Sequence, residues 1–115
     1  MTILLLEDDK AIAETLQIYL ELCGYRVKLV ATVQEAVSVL QYEKPDLLIL
    51  DYLLNKRTET CAPVVEWVRE KWKDKVPRMM ILTASAKSED VGKQLNLPVL
   101  RKPFSLEDFD KFLDN

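Results

Sequence analysis

Three short runs of consecutive apolar residues constrain this chain more than any other feature: Ile3-Leu4-Leu5-Leu6, Leu47-Leu48-Ile49-Leu50 and Met79-Met80-Ile81-Leu82. Each has strand length, and none alternates apolar with polar. A strand written this way is covered on both faces, as in a parallel sheet with helices on either side. Arg26 to Val30 and Pro98 to Leu100 read as weaker strands nearer the sheet edges. Between the strands the period changes to that of a helix. From Lys10 to Cys23, the residues Ile12, Leu16, Tyr19, Leu20 and Cys23 recur at three- and four-residue spacing, and Gly24 follows as a stop. Thr32 with Glu35 forms a capping box for a helix running to about Glu43. Thr60 is a candidate cap for a third helix, with Pro63 in its first turn and Val64, Val68 and Trp72 on one face. A shorter helix is expected around Ser88 to Leu95. Ser105 with Asp108 opens the last one, predicted to bury Leu106, Phe109, Phe112 and Leu113.

The order is βαβαβαβαβα. Right-handed crossovers place such helices on both faces, which predicts an α/β fold: a doubly wound five-stranded parallel sheet in a three-layer (βα)5 sandwich. At 115 residues the chain reads as a single domain, residues 1–115, large enough to fold without a disulfide or structural metal. A net charge of -3 offers no basic field for direct nucleic-acid contact. No apolar run reaches membrane-spanning length, and nothing at the start resembles a signal peptide, so a cytoplasmic protein is the default expectation. Cys23 and Cys61 lack metal-type spacing, and Cys23, beside Leu20, is expected to be a buried reduced thiol. Histidine is absent, which removes histidine-based catalysis.

Sheets of this type bind ligands outside the carboxyl ends of their strands. The suggestive polar residues all fall there: Glu7, Asp8 and Asp9 after the first strand, Asp51 after the third, Thr83 after the fourth and Lys102 after the fifth. Taken singly, each has a plainer reading. The acids suit a helix N-terminus, Asp51 a loop, Thr83 a cap and Lys102 a solvated surface. Their joint placement outweighs those readings. Carboxylates ~5 Å apart would repel by about 3 kcal/mol per pair at an effective dielectric near 20, so the cluster calls for a cation. Mg²⁺ suits it, being a hard ion that takes oxygen ligands and keeps waters for a phosphate group. Asp51 is then placed to attack a phosphorus centre, with Lys102 and the Thr83 hydroxyl stabilising the transferring group. Trp67 and Trp72 read as packing residues, and Arg57, Arg69 and Lys71 to Lys75 as a solvated face.

Four segments, taken in order, carry a specific resemblance: Leu4-Leu5-Leu6-Glu7-Asp8-Asp9, Asp46-Leu47-Leu48-Ile49-Leu50-Asp51, Leu82-Thr83-Ala84 and Lys102-Pro103-Phe104. Over essentially its whole length the chain resembles the receiver domains of two-component response regulators. The resemblance implies a flavodoxin-like fold with strand order 2-1-3-4-5. It also implies Asp51 as the phosphoacceptor and a Mg²⁺ ligand, Asp8 as a direct ligand, Glu7 as a ligand through water, and the Leu53 backbone carbonyl as the third protein ligand. With the register slipped by one, Asp9 joins the acidic pair instead. Thr83 would be the switch hydroxyl and Lys102 the phosphate-pairing lysine, with a cis bond into Pro103. The implied partner is a histidine kinase or histidine phosphotransfer protein, with homodimerisation on phosphorylation an option and the downstream output open. Such a module directs phosphotransfer and dephosphorylation at itself and is not an enzyme acting on a separate substrate. Whether it stands alone or is cut from a larger regulator is also open.

The chain departs from the family pattern in three places. The segment from Tyr52 to Thr60 lacks the customary Pro and Gly and is longer than usual. The stretch from Thr83 to Lys102 is short, which implies a reduced fourth helix. Val99 stands where the family commonly places a switch aromatic. These departures keep a second reading in play, a phosphorylation-independent interaction domain. A haloacid-dehalogenase-like phosphatase is disfavoured, since that chemistry wants an acid two residues past the nucleophile and this chain has Leu53 there.

Overall fold

The structure, a computed structural model, describes residues 1–55, 58–84 and 87–114. The three apolar runs form the middle of one parallel sheet. Strands β1 (Thr2–Leu6), β2 (Arg26–Val30), β3 (Leu47–Asp51), β6 (Arg78–Thr83) and β7 (Val99–Arg101) lie in the order β2-β1-β3-β6-β7. Counting only these five, the order is the expected 2-1-3-4-5, and the two weaker strands are indeed the edges. The fifth strand begins at Val99 and takes in Arg101, one residue later than its sequence suggested. Two further strands, β4 (Leu53–Leu54) and β5 (Glu59–Thr60), pair antiparallel in a small separate hairpin after β3. No alternation of apolar and polar residues marks it in the sequence.

Side chains leave a strand alternately to its two faces, so the apolar runs feed two cores. Ile3, Leu5, Leu47, Ile49, Met80 and Leu82 face α1 (Lys10–Leu22) and α5 (Leu106–Leu113), packing with Leu16, Leu20, Phe109 and Leu113. Leu4, Leu6, Leu48, Leu50, Met79 and Ile81 face the other way, toward α2 (Val33–Leu40), α3 (Ala62–Trp72) and α4 (Ser88–Leu95). Asp9 caps α1, its carboxylate accepting from the Ile12 N–H at 3.1 Å. Thr32 caps α2 through the Glu35 N–H, and Ser105 with Asp108 forms a full capping box on α5.

Several local expectations fail, each for a physical reason. Cys23 is exposed: it is the C-cap of α1, and its side chain points off the core where the chain turns at Gly24, whose φ is +95°. Cys61 is the buried cysteine, and it occupies the N-cap of α3 that Thr60 was expected to hold. Thr60 is paired in β5 and only accepts from the Ala62 N–H at 3.3 Å. Helix α2 stops at Leu40, short of Glu43. Leu106, at the first turn of α5, is exposed while Phe109 and Leu113 carry the packing. Trp67 and Trp72 do pack, edge to face at 5.7 Å, and Lys44 lies over the Trp72 ring. Arg57 lies outside the described residues, and Arg69 reaches the Asn96 carbonyl at 3.4 Å.

The stretch around Val99 is tightly fitted. Helix α4 has only 8 residues, and its Gly92 faces the fifth strand. A Cβ at Gly92 would lie 3.2 Å from Val99 Cγ2 and 3.3 Å from the Leu97 carbonyl oxygen. A small residue on the helix and a branched one on the strand thus let α4 sit close to β7.

Candidate functional site

Parallel strands end at one side of the sheet, and four of these five deliver a polar residue there. Glu7 follows β1 and is fixed by its backbone N–H, which donates to the Val30 carbonyl at 3.1 Å. Asp51 is the last residue of β3 and Thr83 the last of β6. Lys102 follows β7, and its N–H donates to the Thr83 carbonyl at 2.7 Å. Its bond to Pro103 is cis. Glu7, Asp51 and Thr83 are only 2%, 5% and 0% exposed, and they are the only buried polar or charged side chains among the described residues. Buried charge without a partner is expensive, so the pairing here matters.

Lys102 supplies it. Its Nζ lies 2.7 Å from Glu7 Oε2 and 3.3 Å from Asp51 Oδ1, bridging the two buried acids. Glu7 also accepts from the Asp9 N–H through Oε1 at 3.1 Å. Asp8 is exposed at the mouth, where its Oδ2 accepts from the Asn55 N–H at 2.9 Å. One carboxylate oxygen from each of Glu7, Asp8 and Asp51 lies within 4.8 Å of the others. Asp9 is absent from that trio and is spent on capping α1. The cleft between these groups measures about 350 Å³, and Leu53, Ala84 and Ile12 complete its walls. A larger hollow of about 560 Å³ lies between α4 and the start of β7, but it gathers no comparable set of acids.

The electrostatics follow from burial. Loss of water, then the negative charge of Glu7, pushes the Asp51 carboxyl up from 3.8 to about 7, against the pull of Lys102. Burial alone would lower the Lys102 ammonium, but Glu7 and Asp51 outweigh it and the net shift is upward. Lys102 therefore stays charged. Cys61, beneath the site, is pushed up to about 12 by burial and then by the Asp51 charge, so its thiol stays protonated. Among the described residues, one ammonium facing two buried acids and one exposed acid leaves excess negative charge. Three oxygen donors at this spacing, open to solvent on one side, suit a hard divalent cation that keeps some of its waters.

Of the strand-end residues singled out in the sequence, Glu7, Asp8, Asp9, Asp51 and Lys102 line this cleft, with Leu53 on its wall, while Thr83 is buried at the adjoining end of β6. The sequence did not point to Asn55. Its one local signal was residue type, because Asn tolerates the left-handed conformation that Asn55 adopts at φ +50°.

A parallel sheet in this strand order, with acids, a hydroxyl and a lysine converging at its carboxyl end, defines a class that comparison with known proteins names. The response regulator receiver domain model matches residues 3–114, and the chain belongs to that family. It is 33% identical over 108 residues to the alkaline phosphatase synthesis transcriptional regulatory protein PhoP of Bacillus subtilis, an alignment that covers 90% of this chain and 42% of that one. The chain therefore spans less than half the length of that relative. Among solved structures, the non-phosphorylated HemR receiver domain of Leptospira biflexa matches with a TM-score of 0.83 and 31% identity, over 98% of this chain and 90% of that one. The chemotaxis response regulator CheY4 of Vibrio cholerae matches with a TM-score of 0.84 and 27% identity, over 98% and 95% respectively. Among the described residues, no helix is long and apolar enough to cross a membrane.

Proposed function

We propose that this chain is a phosphoacceptor signalling module in which Asp51 takes a phosphoryl group from a histidine kinase or histidine phosphotransfer protein. The observation that carries this reading is the Lys102 bridge: one ammonium reaches both Glu7 and Asp51 in a cleft that also gathers Asp8, next to the buried Thr83. An Asp51 oxygen would attack phosphorus in line, forming an acyl phosphate as the bond to the donor imidazole breaks. These 115 residues include no histidine, so the donor imidazole lies outside them. Lys102 would shift part of its pairing from Asp51 to a phosphoryl oxygen, and the Thr83 hydroxyl would donate to another. Asp8, Asp51 and the Leu53 carbonyl would hold a Mg²⁺ ion directly, with Glu7 acting through water. When bound, Mg²⁺ supplies charge neutralisation for the transferring group and lowers the proton affinity of Asp51.

Intact mass after incubation with acetyl phosphate and Mg²⁺ tests this reading. The expected result is one added phosphoryl group, absent with EDTA and absent in Asp51→Asn. No mass gain in the wild-type chain would overturn it. Val99, where the family commonly places a switch aromatic, favours a second reading, a domain that keeps the fold and binds partners without phosphorylation. That reading expects the same affinity for its partner in wild type and Asp51→Asn.

A further inference from the structure

The hairpin after β3 makes a contact that neither the strand-end pattern nor the phosphoryl chemistry requires. Leu53 pairs with Thr60 and Leu54 with Glu59. Leu54 is buried in the core with Cys61 and Val64, which anchors the hairpin to the sheet. At the end of β4 the chain turns at Asn55, which holds φ +50°. The turn is locked on its far side by Thr58, whose hydroxyl donates to the Asn55 carbonyl at 2.6 Å while its N–H donates to the same oxygen at 3.1 Å. The result is that the Asn55 N–H points across to Asp8, a residue 47 positions away in sequence, and donates to Oδ2 at 2.9 Å.

We propose that the Asn55 N–H is a positioning group for the cation site, holding the exposed Asp8 carboxylate toward Glu7 and Asp51. This rests on the reading of that site as a Mg²⁺ site. Asp8 is the one member of the acidic trio that burial does not immobilise. Left alone, an exposed aspartate samples several rotamers and also faces repulsion from the two buried acids. A donor fixed by an anchored hairpin selects one rotamer through Oδ2 and leaves Oδ1 available as a ligand. Coupling of this kind is reciprocal: whatever the hairpin contributes to cation affinity, the bound cation returns as order in the hairpin. The hairpin is then an element that reads the state of the site.

The test compares Mg²⁺ affinity, by titration calorimetry on the full chain, in wild type, Asn55→Gly and Asn55→Pro. Glycine keeps both the donor and the positive φ, whereas proline removes the donor and cannot adopt that φ. Asn55→Gly should bind within about twofold of wild type, and Asn55→Pro roughly 10-fold more weakly, the low end of the loss expected for an outer group that orients a ligand. Thr58→Val, which removes only the locking hydroxyl, should weaken binding in the same direction with the fold intact. A second readout needs no metal: the Asn55 amide should be protected from hydrogen exchange in wild type and lose that protection in Asp8→Ala. Equal Mg²⁺ affinity in wild type, Asn55→Pro and Thr58→Val would overturn this proposal and leave the site reading standing. Failure of the wild-type chain to bind Mg²⁺ at all would overturn both.

Discussion

Along β3, Ile49 and Leu50 are wholly buried among aliphatic and aromatic neighbours, while Asp51, one residue further on and almost as buried, faces a carboxylate and an ammonium. Strands β1 and β6 repeat the contrast, passing from Leu6 to Glu7 and from Leu82 to Thr83. The strand bodies stabilise the fold by burial, each fully buried aliphatic side chain contributing about 1.5–3 kcal/mol. The strand ends work against it. The same sheet that hides the apolar runs from water also removes water from Glu7 and Asp51, and among the described residues Lys102 is the cation that compensates. A stable body thus holds a strained end in place, which is how a rigid scaffold keeps reactive groups close.

The comparison can be broken from either side. The largest effect is expected in the body: Ile49→Ala should cost about 3–5 kcal/mol through lost burial and a residual cavity, read from denaturant unfolding. At the end of the sheet, Lys102→Met should cost about 2–4 kcal/mol at pH 8, because it leaves two buried acids facing each other without their cation. The opposite sign is expected at the neighbouring acid. Folding raises the Asp51 carboxyl from 3.8 to about 7, so the metal-free folded state binds that proton more tightly than the unfolded chain does. Its contribution is complete below about pH 4 and is lost as pH rises through about 7. Asp51→Asn should therefore stabilise the metal-free protein at pH 8 by on the order of 2–4 kcal/mol and remove that part of the pH slope. The smallest effect belongs to Asp9, an acid of the same run whose carboxylate caps α1: Asp9→Ala should cost about 1 kcal/mol and leave the phosphoryl uptake proposed for Asp51 in place.

The same contrast explains what the sequence disclosed. Apolar runs such as Leu47 to Leu50 report a body covered on both faces, because burial on both sides acts on consecutive residues. Strand-end residues were legible because the topology gives them a common destination. Thr32 and Ser105 were legible because a cap is a local bond. What escaped depends on contacts made across the chain. Cys23 fits the helical period as well as Leu20 does, yet only Leu20 meets the sheet. Leu106 likewise has the period of Phe109 but falls at an exposed first turn. The hairpin of β4 and β5 is two residues long on each side, too short to display a period, and its turn uses Asn55 where Gly would have announced it.

The most direct measurement is thermal unfolding at pH 8 with and without Mg²⁺, in wild type and in Asp51→Asn. The account predicts that metal-free wild type melts below Asp51→Asn, and that millimolar Mg²⁺ raises the wild-type Tm and moves the variant far less. A wild-type Tm indifferent to Mg²⁺, with Asp51→Asn no more stable than wild type, would contradict the claim that the sheet's carboxyl end is a buried anionic site suited to a cation.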